Sequence, residues 1–231
     1  MFKPKHKTVD LNGLKLKIGN EEISQVKHTK FLGLLIDEHL SWDYHIKSIC
    51  AKISKNLYLL RGVKNFLPNH CLKQLYYSYI HSNLTYGLIL WGPMSTRKNI
   101  KRLIVSQKKA IRVIGRAKSN AHSEPIFKRY QILNIDDLIE LELAKFAYSL
   151  TKNDLPQPVQ ALFHTNEHHD HNTRHRHYPQ IAKHKSAMYN KSFLCKSPST
   201  WESLPQMARD SKTIHSFSRR FKKMKLSNYN D

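Results

Sequence analysis

The chain is short of acidic side chains: 17 Asp and Glu stand against 39 Lys and Arg, a formal net charge of +22 over 231 residues. With a sequence pI near 9.9 the surplus persists at any physiological pH and favours a polyanionic partner, the alternative being a merely solvated basic surface. Long apolar runs are missing as well. None approaches the roughly 20 residues that span a bilayer, and the opening MFKPKHKTVD has no signal-peptide core, so no membrane is expected as partner. Cysteine is scarce. Cys50, Cys71 and Cys195 are odd in number, far apart and in no CxxC spacing, which excludes a disulfide framework and reads as reduced, buried thiols of an intracellular protein, nucleus or cytoplasm left open. GxGxxG, P-loop and Ser-His-Asp signatures are absent too, and no cofactor is expected.

What is present can fold, since 40% hydrophobic content supplies a core. The fold class expected is mainly α, with a small N-terminal β-hairpin and strand, a helical bundle and a less regular tail. Leu14, Leu16 and Ile18 alternate with lysines, Gly19 and Asn20 offer a turn, and Ile23 with Val26 begins the return strand. The apolar run from Phe31 to Ile36, broken only by Gly33, reads as a buried strand. These residues make a first unit, 1–40.

From Ser41, a candidate cap, the period changes. Ile46, Ile49, Ile53, Leu57 and Leu60 fall on one helical stripe ending near Gly62. A second helix is expected from Pro68, through Leu72, Leu75, Tyr76, Tyr79, Ile80 and Asn83, to a break at Gly92 and Pro93. Ile100, Leu103, Ile104, Gln107, Ile111 and Ile114 make the inner face of a third. Ser123 and Asp136 start two more, and Leu138, Leu141, Ala144, Phe146 and Leu150 pack before Pro156, where the core is expected to close. This helical unit spans 41–163. HTNEHHDHNTRHRHYPQ then reads as a linker, 164–185. In the tail, 186–231, Phe193, Trp201, Leu204, Phe217 and Phe221 are anchors for partial docking.

The adjacent pair Asp136 and Asp137 could hold metal ions, yet both open an amphipathic helix and read as structural carboxylates offsetting its dipole. The histidines His164, His168, His169, His171, His175 and His177 lack a cysteine or a helical scaffold, so no metal site is expected. Arg174 and Arg176 among them suit phosphate contacts. The basic flanks of the third helix, Lys101, Arg102, Lys108, Lys109, Arg112 and Arg116, together with Lys47, Lys52 and Lys55 of the first, could neutralise the phosphates of a duplex.

Six blocks then carry a resemblance. KFLGLLIDEHLSWDYHI, QLYYSYIHSNLTYGLILWG, QKKAIRVIG, HSEPIFKRYQILNIDDL, HNTRH and TWESLP, in this order, resemble the region after the catalytic palm in reverse transcriptases of non-LTR retrotransposons. The resemblance implies that Phe31, Leu32 and Gly33 are a primer grip, and that the helices form a thumb lying along a template–primer duplex, whether RNA/DNA hybrid or DNA. The family's aromatic-x-Asp-Asp centre lies ahead of an FKP segment, which stands here at positions 2 to 4, so no catalysis is expected from this chain on its own. The alternative is a protein-interaction module, with a partner on the face where a palm would pack, around Leu34, Leu35, Ile36 and Trp42.

Overall fold

A computed structural model describes residues 16–165, 179–180 and 186–229. It is mainly helical, with two small antiparallel strand pairs ahead of a helical bundle. In the first pair, β1 (Lys17–Ile18) and β2 (Glu21–Glu22) join through Gly19, whose φ is +59°. Leu14 lies outside the described residues. Leu16, Ile18, Ile23 and Val26 are exposed, so this hairpin adds nothing to the core.

The run from Phe31 to Ile36 is not one buried strand. β3 (His28–Phe31) and β4 (Leu34–Asp37) pair as a second hairpin in which Phe31 faces Leu34, and Leu32 with Gly33 forms the turn. Both turn residues have positive φ, 45° and 82°, as a two-residue turn matched to strand twist requires. The chain therefore reverses in mid-run. Phe31 and Leu32 stay 61% and 75% exposed, while Leu34 turns inward against Gly87. Gly87 has a φ of +61°, and a Cβ there would come within 2.9 Å of Leu34 Cδ2.

Asp37 closes β4 and organises the turn into the first helix. Its buried carboxylate accepts from the backbone N–H groups of His39 (2.9 Å), Ser41 (3.1 Å) and Trp42 (3.0 Å), and from the Ser41 hydroxyl (3.0 Å). Burial opposes its charge, but the Ser41, His39 and Trp42 donors prevail and hold the carboxyl below its ordinary value. Helix α1 (Asp43–Val63) then starts behind Trp42, which adopts a left-handed φ of 62°. Ile46, Ile49, Ile53, Leu57 and Leu60 are buried along it, the stripe read from their spacing.

α2 (Asn69–Tyr76) runs through a π-helical turn, Tyr77–His81, into α3 (Ser82–Thr85). Within that wide turn the Tyr79 carbonyl accepts from the Asn83 side chain (2.8 Å) and from Asn56 Nδ2 of α1 (2.6 Å), which ties the two helices together. The break comes at Gly87, ahead of the expected one at Gly92 and Pro93, and leaves α4 (Leu88–Trp91) as a separate turn. α5 (Arg97–Ile114) packs along α1, and the Thr96 hydroxyl accepts the Asn99 N–H at its start (3.4 Å). Buried Gln107 of α5 donates to the Tyr76 hydroxyl and to the Leu133 carbonyl, both at 2.9 Å.

α6 (Glu124–Tyr130) follows buried Ser123, which makes no cap with its side chain. α7 (Ile135–Thr151) is capped by Asn134, whose side-chain oxygen accepts the Asp137 N–H (3.0 Å), and α8 (Gln157–Gln160) is a single turn. The core does not close at Pro156. α7 packs against α4 and α5 and also against the tail, where α9 (Ala187–Lys191), α10 (Phe193–Glu202), α11 (Gln206–Arg209) and α12 (Ile214–Ser227) lie. Trp201, Leu204, Phe217 and Phe221 are buried in the same cluster as Ile46 and Leu103, and Phe193 meets the Phe146 ring at 5.1 Å. The tail is thus more regular than its composition suggests, because α7 leaves aromatic residues such as Tyr148 to be covered by Phe217 (5.2 Å). Between α8 and α9, β5 (His164–Thr165) and β6 (Pro179–Gln180) pair antiparallel.

Candidate nucleic-acid interface

The third helix carries the strongest charge asymmetry among the described elements. Between Arg97 and Arg116 there are eight Lys and Arg and no Asp or Glu. At about 100° per residue, Ile100, Leu103, Gln107, Ile111 and Ile114 turn to the core, and the cations occupy the opposite arc. They form two rows. Lys101, Lys108 and Arg112 run along one, Lys98, Arg102 and Lys109 along the other, exposed Val105 lies between them, and Arg116 follows just beyond the helix end with a left-handed φ of 50°. Eighteen residues make the helix about 27 Å long, which spans about eight phosphates of one strand at their axial spacing.

The cations are not equivalent. Arg97 forms an exposed ion pair with Asp136 (2.5 Å), and that carboxylate's hydrogen bond and charge raise the guanidinium's pKa. Arg112 Nε donates to the Ala121 carbonyl (2.7 Å) and Arg116 Nη2 to the Leu67 carbonyl (2.7 Å), so these two also hold loops. Lys98, Lys101, Arg102 and Lys109 are exposed and make no ion pair among the described residues, and Lys108 is half-buried and equally unpaired.

α1 adds only part of what its sequence offers. Lys47 shares with Tyr44, Thr96, Lys98, Asn99 and Arg102 a cleft of about 510 Å³ where the starts of α1 and α5 meet. Asn99 fixes that junction by donating to the Asp43 carboxylate. Lys52, five residues beyond Lys47, lies about 140° further round the helix, on the flank of His45. Lys55 is exposed between these directions. The three lysines of α1 therefore do not form one patch with α5; Lys47 does. Arg174 and Arg176 lie outside the described residues, as does the histidine cluster apart from the backbone of His164.

His45 is buried under the hairpin. Its Nδ1 accepts the Leu35 N–H (3.4 Å), and its ring stands edge-on to Trp42 and Trp91 (6.0 and 5.7 Å). Burial, and secondarily the Lys52 charge, lowers its pKa to about 4, so it is neutral. Together with the burial of Leu34 and Trp42, this removes the exposed apolar patch expected around Leu34, Leu35, Ile36 and Trp42. Leu34 and Trp42 are core, Leu35 and Ile36 are half-buried, and it is Phe31 and Leu32 at the hairpin tip that face solvent.

No family model, curated protein or solved structure matches the chain.

The acidic pair is structural. Asp136 meets Arg97, and Asp137 accepts from Asn134 Nδ2 (2.8 Å) and the Tyr229 hydroxyl, with Lys225 at 3.6 Å. Among the described residues no three His, Cys, Asp or Glu side chains group as metal ligands. Cys50, Cys71 and Cys195 are free thiols and half-buried; burial pushes the Cys50 thiol up despite Ser106 and Arg102 beside it. No helix among the described residues is long and apolar enough to cross a membrane.

Reasoning from the sequence alone misses Lys98, Tyr44 and Thr96. For Lys98 and Tyr44 the signal was there: Lys98 stands four residues before Arg102 on α5, and Tyr44 three before Lys47 on α1, each pair on one face of its own helix.

Proposed function

We propose that this chain is the primer-grip, thumb and C-terminal region of a non-LTR-type reverse transcriptase, and that it binds nucleic-acid duplex through the outer face of α5. The observation that carries the binding is a solvent face of about 27 Å with cations in two rows and no carboxylate of its own. Long, sequence-neutral contact with phosphates needs that arrangement. The family assignment is supported by the six ordered blocks, and the exposed tip at Phe31, Leu32 and Gly33 is compatible with a backbone support for a strand end. Polymerisation is not assigned to these residues. Asp136 and Asp137 are held by Arg97, Lys225 and Tyr229, and they serve the packing of α7.

Fluorescence anisotropy with labelled duplexes of unrelated sequence tests the reading. Equal affinities are expected, with a large loss on changing Lys101 and Arg102 together to Glu. Strong preference for one sequence, or an indifferent charge-reversed variant, would refute it.

A further inference from the structure

Tyr44 stands at the second position of α1 and is 46% exposed, although it is a large aromatic residue, and it lines a basic cleft. One face of its ring is covered by His28 of β3, stacked at 4.5 Å between centroids and 15° between planes. Tyr44 lines the cleft together with Lys47, Lys98 and Arg102. Its volume of about 510 Å³ lies inside the range of small-ligand sites, about 300–1,000 Å³. An aromatic platform, stiffened from behind by a second ring and flanked by cations, matches the elements that hold single-stranded nucleic acid.

Resting on the nucleic-acid reading above, we propose that this cleft receives one unpaired base of the bound strand, stacked on Tyr44, while Lys47, Lys98 and Arg102 hold the neighbouring phosphates. A base inside a duplex has both faces covered by its neighbours, so an overhanging or splayed base is the one with a face to offer. The lining of the cleft suits a base better than a second phosphate. Asp43 contributes a carboxylate there, bridged to Asn99, which repels anions and accepts from a base amino group.

The experiment compares a blunt duplex with the same duplex bearing an overhang that contains 2-aminopurine, using wild type, Tyr44→Phe and Tyr44→Ala. Wild type is expected to bind the overhang form more tightly and to quench 2-aminopurine by stacking. Tyr44→Phe keeps both effects. Tyr44→Ala, on an exposed side chain and checked for fold by circular dichroism, should weaken the overhang form about tenfold more than the blunt form and abolish the quenching. Equal loss for both forms, or quenching that survives in Tyr44→Ala, overturns the base site and leaves duplex binding intact. Absence of binding to either form by wild type overturns the nucleic-acid reading itself.

Discussion

Tyr86 donates its phenol hydroxyl to the Leu32 carbonyl at 2.6 Å, joining residues fifty-four positions apart and pinning the tip of the β3–β4 hairpin to the turn before α4. The same ring lies 3.2 Å from where a Cβ on Gly33 would stand. Two substitutions should therefore act in opposite directions. Gly33→Ala places a side chain at a φ of +82° against that ring and should destabilise by more than about 1 kcal/mol, whereas Leu32→Asn creates the Asn-Gly pair that such turns favour and should stabilise by about 0.5–1 kcal/mol. Urea unfolding measures both. Equal effects of the two variants would contradict the turn geometry.

Stability should fall with acid in two stages. His45 and His81 are both lowered to about 4 by burial, assisted by Lys52 and Lys222 respectively, so the folded state binds protons less readily than an unfolded histidine near 6.5. Their contribution is full above about pH 6.5 and is lost as pH falls toward 4. Asp37, held below its ordinary 3.8, adds a second loss as pH falls further through its own lowered value. His45→Gln should remove the His45 share of the first stage, leaving that of His81 and the second stage. A first stage unchanged in that variant would show that His45 does not carry it.

How much of this was legible in the sequence depends on which interactions decide each element. α1 and α5 follow from periodicity, because one apolar stripe meets one core, and Ile46 to Leu60 and Ile100 to Ile114 fall where spacing puts them. The hairpin at Leu32 was hidden, since a leucine with positive φ carries no local signal and the Tyr86 and Gly87 contacts that fix its tip come from far along the chain. The docking of α12 was only half visible for the same reason: Phe217 and Phe221 announce burial, but their site on α7 is a tertiary fact. At the candidate interface the charge of α5 could be read directly. The separation of Lys52 from Lys47 required knowing which side of α1 meets α5.

The two acidic residues at the start of α7 should differ sharply. Asp136 makes an exposed pair with Arg97, and Asp136→Asn should cost at most about 1 kcal/mol. Tyr229 accepts the Asn134 N–H (2.9 Å) and donates to Asp137, so Tyr229→Phe strands a part-buried amide and should cost about 1–3 kcal/mol. Thermal unfolding of the two variants would settle the order. A larger loss in Asp136→Asn would contradict the assignment of Asp137 and Tyr229 as the clamp on the tail.

Arg112 should separate packing from binding. Because its Nε holds the Ala121 carbonyl, Arg112→Ala should lower stability by about 1–3 kcal/mol, while Lys101→Ala, at a side chain with no such bond, should leave stability within about 0.5 kcal/mol. Chemical denaturation of each variant checks this, and equal stability losses would place Arg112 among the free cations.

The most direct test of the account is the salt dependence of duplex affinity for wild type and for Lys98, Lys101 and Lys108 changed together to Ala, three lysines that make no ion pair among the described residues. Wild-type log K should fall linearly with log salt by about 0.9 per phosphate neutralised, for every duplex sequence alike, and the triple variant should flatten that slope by up to about 2.7. A slope unchanged in the variant, or no measurable duplex binding by the folded wild type at low salt, would contradict the claim that the outer face of α5 is a nucleic-acid surface.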